Sequence, residues 1–379
     1  MAQIKTMHAG SLPRPPDLFA MVLAKEAGEP YDEHKFEQRL RESVAAVVRL
    51  QAEVGLDSVN DGEFGKSNFS NYMRERLGGF EERPTDGGVS YSISDRDKAG
   101  GFADYFAIGG RAAVGGQARR FFCVEPLAYV GQAPLARDLA NFKAAIEGVS
   151  GVEPFLPAVA PGTIEHWLLN EHYPDDESFV YAIADAMHEE YKAIADAGFL
   201  LQIDDPDLAD AWQLHTEMDV PAYRRFAEMR LDALNHALRD IPREQIRFHM
   251  CWGSYHGPHK FDIPLADIVD LILKVKAASY SIEASNPVHL HEWTVWKDVK
   301  LPDNAILIPG VVGHCSDFIE HPDLVAERLV QYAQVVGSEN VMGGTDCGLG
   351  PRVGHPSIAW AKFASLVEGA RRASEQLFS

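Results

Sequence analysis

Apolar and polar positions along the chain follow two alternating patterns. Short runs rich in β-branched and aliphatic residues, typical of buried strands, alternate with stretches whose apolar residues recur every three or four positions, as on one face of a helix. This order predicts a parallel sheet whose strands are joined by crossover helices. Eight strands are predicted, at residues 4–10, 56–63, 153–160, 199–206, 246–253, 278–285, 305–313 and 340–348.

The predicted helices begin or end at glycine or proline, residue types that favour a helix boundary. One apolar stripe ends at Gly55 and another at Gly198, where glycine can adopt the left-handed conformation that closes a helix. A third helix begins at Pro322, and the segment 355–373 forms the last helix of the chain. Helical segments therefore fill most of the gaps between the predicted strands.

Eight strand and helix units predict an α/β fold, a (β/α)8 TIM barrel. A doubly wound open sheet would show the same alternation, but no G-x-G-x-x-G motif follows the first strand, so the barrel is favoured. Residues 64–152 form a long insertion between strands 2 and 3. We expect residues 1–379 to be a single catalytic barrel domain, with 64–152 acting either as a lid over the substrate or as a surface excursion.

Composition and charge exclude some classes of protein and some kinds of binding partner. A hydrophobic fraction of 46% with 24% charged residues is that of an ordinary globular protein. The formal net charge of −21, without any basic block, argues against a nucleic acid partner. No long apolar run and no signal-peptide pattern occur, so we expect a cytoplasmic protein without a membrane partner. The sequence leaves the oligomeric state open.

The active site of a parallel barrel is built from residues at the carboxyl ends of its strands. Four cysteines, too few for a disulfide framework in a chain of this size, are expected to be thiols, and three of them follow strands beside histidines and acids. The polar residues at the predicted strand ends are Ser11, Glu63, Asp204, Asp205, His249, Cys251, Glu283, His314, Cys315, Asp346 and Cys347.

His249 and Cys251 lie two positions apart on one strand, so their side chains share a face. An imidazole nitrogen and a thiolate are zinc ligands; Cys347 could supply a second thiolate and Glu283 an oxygen. The alternative is a buried core histidine beside a thiol that packs as a small hydrophobe. A zinc ion with two thiolates is electron-rich and suits activation of a substrate thiol, so the predicted reaction is alkyl transfer to sulfur.

Five motifs in this order resemble the catalytic C-terminal barrel of cobalamin-independent methionine synthase, and the similarity spans essentially the whole chain. They are "HAGSLPRP", "QIDDPDL", "FHMCWG", "SIEASNP" and "GGTDCGLG". The resemblance implies transfer of a methyl group to the sulfur of homocysteine by a zinc enzyme. The zinc ligands implied by the resemblance are His249, Cys251, Glu283 and Cys347.

The resemblance implies further roles. Gly10 and Ser11 correspond to a segment that holds the carboxylate of the amino acid, and Glu63 and Asp204 to the acids that bind its ammonium group. His314 corresponds to the histidine that donates a proton to the leaving group.

Other interpretations remain open at this point. Glu63 and Asp204 could instead pair with an arginine such as Arg14. His289 and His291, in "NPVHLHEWTVW", could lie on a surface helix or in the wall of a substrate pocket.

The chain is similar to the short, single-barrel members of the family, without the duplicated N-terminal barrel of the full-length synthase. In this group the methyl donor can be methylfolate, a methyl-corrinoid protein or another donor. A related branch joins epoxides to the thiol of coenzyme M, and the porphyrinogen decarboxylases resemble the same barrel. The prediction is therefore a zinc-dependent thiol methyltransferase, with an epoxide–thiol transferase, a lyase or decarboxylase, and a non-catalytic binding protein as alternatives.

Overall fold

The structure is a computed structural model that describes residues 3–68, 71–84, 94–108, 119–350 and 352–379. Its strands fall into two groups, one that forms the barrel and one that lies outside it. In chain order the strands are β1 Ser58–Val59, β2 Leu77–Pro84, β3 Arg119–Tyr129, β4 Glu153–Val159, β5 Leu168–Asn170, β6 Leu200–Asp204, β7 Ile246–Met250, β8 Ser279–Glu283, β9 Ile306–Val312 and β10 Gly344–Thr345.

Helices connect most of the barrel strands and cover their outer face. They are α1 Pro16–Glu26, α2 Glu33–Val54, α3 Asp95–Asp97, α4 Ala103–Ala107, α5 Gln132–Ile146, α6 Pro161–Trp167, α7 Asp176–Asp196, α8 Asp207–Asp210, α9 Val220–Ala237, α10 Leu265–Ile272, α11 Pro322–Val336 and α12 Pro356–Leu377. Within the described ranges, none of the helices combines the length and the apolar character needed to cross a membrane.

The predicted helix boundaries agree with the structure except at the end of the last helix, which runs to Leu377 and not to residue 373. Helix α2 begins with Asp32 as its N-cap, whose side chain accepts a hydrogen bond from the backbone of Lys35 at 3.0 Å. It ends at Gly55, which has a φ of 95°. Helices α11 and α12 both have a proline in their first turn, where the missing N–H costs no hydrogen bond.

Seven strands form one parallel sheet in the order β1-β4-β6-β7-β8-β9-β10. The segment around Thr6 closes this sheet into a ring. On one side Thr6 pairs in parallel with Gly343, which precedes β10. On the other side the Thr6 carbonyl accepts hydrogen bonds from Asp57 N at 3.0 Å and Ser58 N at 3.1 Å, next to β1. The closed ring matches the predicted (β/α)8 fold.

The first two predicted strands are shorter than expected. Residues 4–10 contribute only the bridge at Thr6, and 56–63 only the two residues of β1. In both segments the chain leaves the extended conformation early, since Gly10 has a φ of 150°, Gly62 of 71° and Glu63 of 57°. The chain therefore bends over the carboxyl end of the barrel instead of continuing the ladder, and a hydrogen bond from Leu12 N to Gly62 O (3.1 Å) joins the two bends.

Barrel strands are buried on both faces, and the two faces differ in chemistry. On β7, Phe248 and Met250 are buried in the hydrophobic core, whereas Arg247 and His249 bond to residues of other barrel strands. Arg247 Nη2 donates to the carboxylate of Glu153, at the start of β4, at 2.9 Å. Because successive side chains of a strand alternate, the face that carries His249 is the barrel interior.

The insertion predicted at residues 64–152 carries strands that the sequence pattern did not indicate. β2 and β3 pair antiparallel, and β3 pairs in parallel with β5, which follows α6, so the three form a separate sheet. Helix α5, from the same insertion, packs against α2. Much of the glycine-rich part of the insertion, residues 85–93 and 109–118, lies outside the described residues.

The described middle of the insertion, residues 94–108, contacts the loops that follow β6 and β7. Arg96 Nη2 donates to the carbonyl of Met218 at 2.7 Å, and the guanidinium lies 3.4 Å from the centre of the Trp212 ring system. Tyr105 Oη donates to His256 O at 2.9 Å. This part of the insertion therefore lies at the carboxyl-end rim of the barrel.

Candidate metal and substrate site

Three potential metal ligands meet at the carboxyl-end rim. A ring nitrogen of His249 and the sulfurs of Cys251 and Cys347 all lie within 4.8 Å of one another. The two sulfurs are 3.9 Å apart. His249 Nδ1 is hydrogen-bonded to Ser281 Oγ on β8 at 3.1 Å, whereas Nε2 is buried without a hydrogen-bond partner among the described residues. A buried nitrogen left unpartnered beside two thiols is unfavourable unless another group binds it.

The geometry of these three residues suits a tetrahedral zinc ion. With zinc–sulfur bonds of about 2.3 Å, two thiolates on a tetrahedral ion lie roughly 3.8 Å apart, close to the separation of Cys251 and Cys347. A hydrogen bond donated by His249 Nδ1–H to Ser281 Oγ orients the ring and leaves Nε2 as its free ligand atom. The Cys251 thiol donates to the Cys347 sulfur, and this hydrogen bond lowers the pKa of Cys347. The pair therefore favours a thiolate, the form that binds metal.

Glu283, the fourth predicted ligand, lies in a neighbouring group. Its carboxylate, a nitrogen of His314 and a carboxylate oxygen of Asp346 lie within 4.8 Å of one another. Glu283 Oε2 accepts a hydrogen bond from Trp252 N, the residue after Cys251, at 2.8 Å. The structure thus brings three of the predicted ligands together and places Glu283 against the end of the strand that carries two of them.

Asp346 connects two strand ends, a role that the sequence did not indicate. Its Oδ1 accepts hydrogen bonds from Ala284 N and Ser285 N, both at 2.9 Å, beyond the end of β8. Burial, together with the charge of Glu283, raises the pKa of Asp346 to about 8. Asp346 therefore fixes the backbone of its neighbour Cys347 relative to Glu283. The sequence feature that could have indicated this role is the position of Asp346 directly before Cys347.

Ser254 lies between His314 and the sulfur of Cys347. His314 Nε2 is 3.0 Å from Ser254 Oγ, which is 3.6 Å from Cys347 Sγ. The sulfur of Cys315 also lies 3.2 Å from His314 Nε2. His314 Nδ1 is buried and has no hydrogen-bond partner within the described part of the chain. The histidine predicted to donate a proton is therefore close to the sulfur of a predicted metal ligand.

Gly10 packs closely against Glu63, and Ser11 packs closely against Gly348. A Cβ atom at Gly10 would lie 2.6 Å from Glu63 Oε1. A Cβ atom at Gly348, next to Cys347, would lie 2.3 Å from Ser11 Oγ. The segment predicted to hold a carboxylate therefore lies between Glu63 and the residue after Cys347.

Glu63 and Asp204 are two buried acids without a cationic partner. In the ranges that the structure describes, no arginine, lysine or histidine forms an ion pair with either carboxylate. Arg14 Nη2 donates to the backbone carbonyl of Glu63 at 2.8 Å and not to its side chain. Asp204 Oδ1 accepts from Gln202 Nε2 at 2.8 Å. Burial raises the pKa of Glu63, and burial with the charge of Glu63 raises the pKa of Asp204 to about 7.

Comparison with known proteins assigns the chain to a family. Residues 117–371, about two thirds of the chain, match the family described as cobalamin-independent synthase, catalytic domain. The methionine synthase of Pyrococcus furiosus is 25% identical over 375 residues, which cover 99% of this chain and 94% of that protein.

Solved structures share the fold over their whole length. A B12-independent methionine synthase from a Shewanella species, solved in complex with selenomethionine, covers 100% of this chain and 99% of its own, with a TM-score of 0.73 and 18% identity. A putative vitamin-B12 independent methionine synthase from Listeria monocytogenes covers 98% of both chains with a TM-score of 0.66 and 17% identity. On the family match, the chain belongs to the enzyme family of the cobalamin-independent synthase catalytic domain.

Proposed function

We propose that this chain is a zinc-dependent methyltransferase that moves a methyl group from a donor onto the sulfur of homocysteine. The observation that carries the proposal is that the group of His249, Cys251 and Cys347 lies at the same rim as two buried acids, Glu63 and Asp204, that form no ion pair with any described residue. The names of the relatives, methionine synthases, support homocysteine as the acceptor.

His249 Nε2, Cys251 Sγ and Cys347 Sγ would hold the zinc ion, and we propose Glu283 as the fourth ligand. A bound zinc ion would keep the acceptor sulfur as a nucleophilic thiolate at neutral pH. A site with two thiolates is poorly suited to generating hydroxide, unlike the three-histidine sites of zinc hydrolases. This donor set therefore favours chemistry at sulfur over hydrolysis.

Glu63 and Asp204 would bind the ammonium group of the amino acid. A buried carboxylate is costly without a partner, and the elevated pKa of Asp204 reflects that cost. A bound ammonium ion would stabilise the charged form of both acids. Gly10 packs against Glu63, so Ser11 Oγ and the backbone of this segment would hold the carboxylate of the same molecule. Together these residues recognise both charged groups of an amino acid.

His314 would supply the proton that the leaving group needs. In the transfer a bond forms between the acceptor sulfur and the methyl carbon, and the bond between that carbon and the donor breaks. The donor atom that keeps the electron pair then takes a proton from His314, which Ser254 orients through its 3.0 Å hydrogen bond. A proton donor placed beside the ligand sulfurs is close to both the bond that forms and the bond that breaks.

We further propose that residues 1–379 act as one catalytic barrel domain and that the insertion 64–152 covers the bound substrates. The contacts of Arg96 and Tyr105 with the loops after β6 and β7 support this position. Covering the rim would exclude water from a reaction in which water competes for the methyl group.

A second candidate function, transfer of an epoxide carbon to a thiol that carries a sulfonate, is favoured by Arg352. This arginine follows Cys347 on the same loop, and its Nε is buried without a hydrogen-bond partner in the described residues. Burial lowers the pKa of Arg352, while the sulfurs of Cys315 and Cys347 act in the opposite direction. A buried guanidinium nitrogen near these sulfurs, without a partner among the described residues, suits an anionic substrate group, either a sulfonate or an acidic part of a methyl donor.

The test is a thiol-consumption screen with the zinc-loaded protein. Homocysteine, coenzyme M and glutathione are each paired with methylfolate, methylcobalamin or a short epoxide, and loss of free thiol is measured together with the product mass. The proposal predicts loss of homocysteine thiol and formation of methionine with a methyl donor. Turnover of coenzyme M with the epoxide would support the second candidate, and absence of turnover with every pair would exclude a thiol alkyltransferase and favour a lyase or binding role.

A further inference from the structure

Trp252 links two of the proposed metal ligands. It follows Cys251 directly, and its backbone N–H donates to Glu283 Oε2 at 2.8 Å. Its indole nitrogen donates to Ile263 O, also at 2.8 Å. The indole ring stacks on the imidazole of His289, with ring centroids 3.7 Å apart and an angle of 17° between the planes. The indole ring of Trp252 is therefore held by a hydrogen bond at its nitrogen and by stacking of one ring face on His289.

His289 is held between two carboxylates. Its Nδ1 lies 2.8 Å from Glu292 Oε2 and its Nε2 lies 3.2 Å from Asp262 Oδ2. An ionised carboxylate only accepts hydrogen bonds, so both ring nitrogens carry a proton and the ring is an imidazolium. Burial lowers the pKa of His289, but the hydrogen bonds to Asp262 and Glu292 outweigh burial and raise the pKa to about 9.

The two carboxylates are themselves fixed by other elements. Asp262 also lies 2.7 Å from Nδ1 of a second buried histidine, His259, and its Oδ1 accepts from Gln213 Nε2 at 2.6 Å. Glu292 Oε1 accepts from Leu265 N, at the start of α10, at 2.8 Å. His289, one of two histidines for which the sequence left two interpretations, is thus a buried residue bonded to two acids and does not lie on an exposed helix face. His291, two residues away, is exposed.

We propose that His289 is a positioning residue of the metal site, because the imidazolium holds the Trp252 ring in place and the Trp252 backbone N–H holds the carboxylate of Glu283. The inference rests on the proposed zinc site. A flat cation stacked on an indole face is attractive when both are desolvated, and hydrogen bonds beyond the ligands orient them. Loss of His289 would remove the imidazolium from the buried carboxylate of Glu292, would leave Asp262 with His259 and Gln213, and would release Trp252.

The test compares His289→Gln with His291→Ala, an exposed histidine of the same segment. Zinc affinity is measured by competition with a chelator, and the ligand field is read from the absorption spectrum of the Co²⁺-loaded protein. We expect His289→Gln to bind zinc about 10- to 100-fold more weakly and to show a shifted Co²⁺ spectrum. His291→Ala should match the wild type in both measurements. Glu292→Gln, which leaves the imidazole and its stacking in place, should show a smaller loss in the same direction and serves if His289→Gln does not fold.

Thermal unfolding of the metal-free and zinc-loaded forms separates positioning from general stability. A positioning role predicts that His289→Gln lowers the midpoint of the loaded form more than that of the metal-free form. An equal decrease in both forms, with zinc affinity and Co²⁺ spectrum unchanged, would overturn the inference while leaving the proposed function intact. A wild-type protein that binds neither zinc nor Co²⁺ would overturn the proposed metal site, and with it this inference.

Discussion

The sulfur atoms of Cys251 and Cys347 lie 3.9 Å apart, although 96 residues separate them in the sequence. Cys251 follows β7 and Cys347 follows β10, and β8 and β9 lie between these strands in the sheet. Their meeting is therefore a property of the closed barrel, whose interior brings the ends of non-adjacent strands together. This distance makes the two cysteines the first target for testing the metal site.

Replacing Cys251 or Cys347 with serine should abolish stoichiometric zinc binding. Each substitution removes one of two thiolates, so zinc retained after gel filtration should fall from about one per chain to near zero, and methyl transfer should fall with it. Metal analysis and the product assay measure both effects. Cys123→Ala, at a buried cysteine outside the group, should keep its zinc. Full zinc retention by Cys251→Ser and Cys347→Ser would contradict the ligand assignment.

Replacing Glu63 with glutamine or Asp204 with asparagine should weaken homocysteine binding specifically through its ammonium group. Loss of one charge-assisted hydrogen bond predicts a rise in the KM for homocysteine of about 10- to 100-fold. The matched substrate is 4-sulfanylbutanoate, which keeps the thiol and the carboxylate but has no ammonium group. Its KM should be the same in the variants and the wild type. A parallel rise for both thiols would show that the acids act on the fold or the metal instead.

Replacing His314 with glutamine should lower turnover far more than substrate binding. A general acid contributes about 10²- to 10⁴-fold, so kcat with a donor whose leaving group needs a proton should fall within that range. A sulfonium methyl donor leaves as a neutral sulfide and needs no proton. If the variant transfers methyl groups from such a donor at the wild-type rate, His314 acts as the acid. An equal loss with both donor types would instead indicate a structural role.

Asp205 should make the protein less stable as the pH rises from about 4 to about 7. Burial raises the pKa of Asp205 to about 7, although its Oδ1 accepts a hydrogen bond from Thr163 Oγ1 at 2.9 Å. Between the unfolded pKa of about 3.9 and the folded pKa, the folded form binds more protons, so stability falls with pH by at most about 4 kcal/mol.

Urea unfolding at pH 5 and pH 8 measures this effect. Asp205→Asn keeps an acceptor for Thr163 but cannot ionise, so its free energy of unfolding relative to the wild type should be higher at pH 8 than at pH 5. Glu29→Gln, at an exposed position, is the control and should show the same difference in unfolding free energy between pH 5 and pH 8 as the wild type. An Asp205→Asn variant with the same pH dependence as the wild type would refute the prediction.

Much of the fold and of the rim could be predicted from the sequence. Parallel strands place their carboxyl ends at one rim, so the polar residues that end strands were expected to meet. His249, Cys251 and Cys347 do meet there, and Glu63 and Asp204 are buried at the same end. The strands of the insertion were missed, since their residues show no clear alternation and pair with β5, which belongs to a different part of the chain.

Local periodicity and chain order alone specify the order of strands and helices and the residue types at each strand end. The tertiary packing is needed to set how far strands 4–10 and 56–63 extend, to group Glu283 with His314 and Asp346, and to place His289 between two acids and against Trp252. These relationships depend on barrel closure and on the register between strands. A distance across the barrel is set by all its strands together, and no single segment contains it.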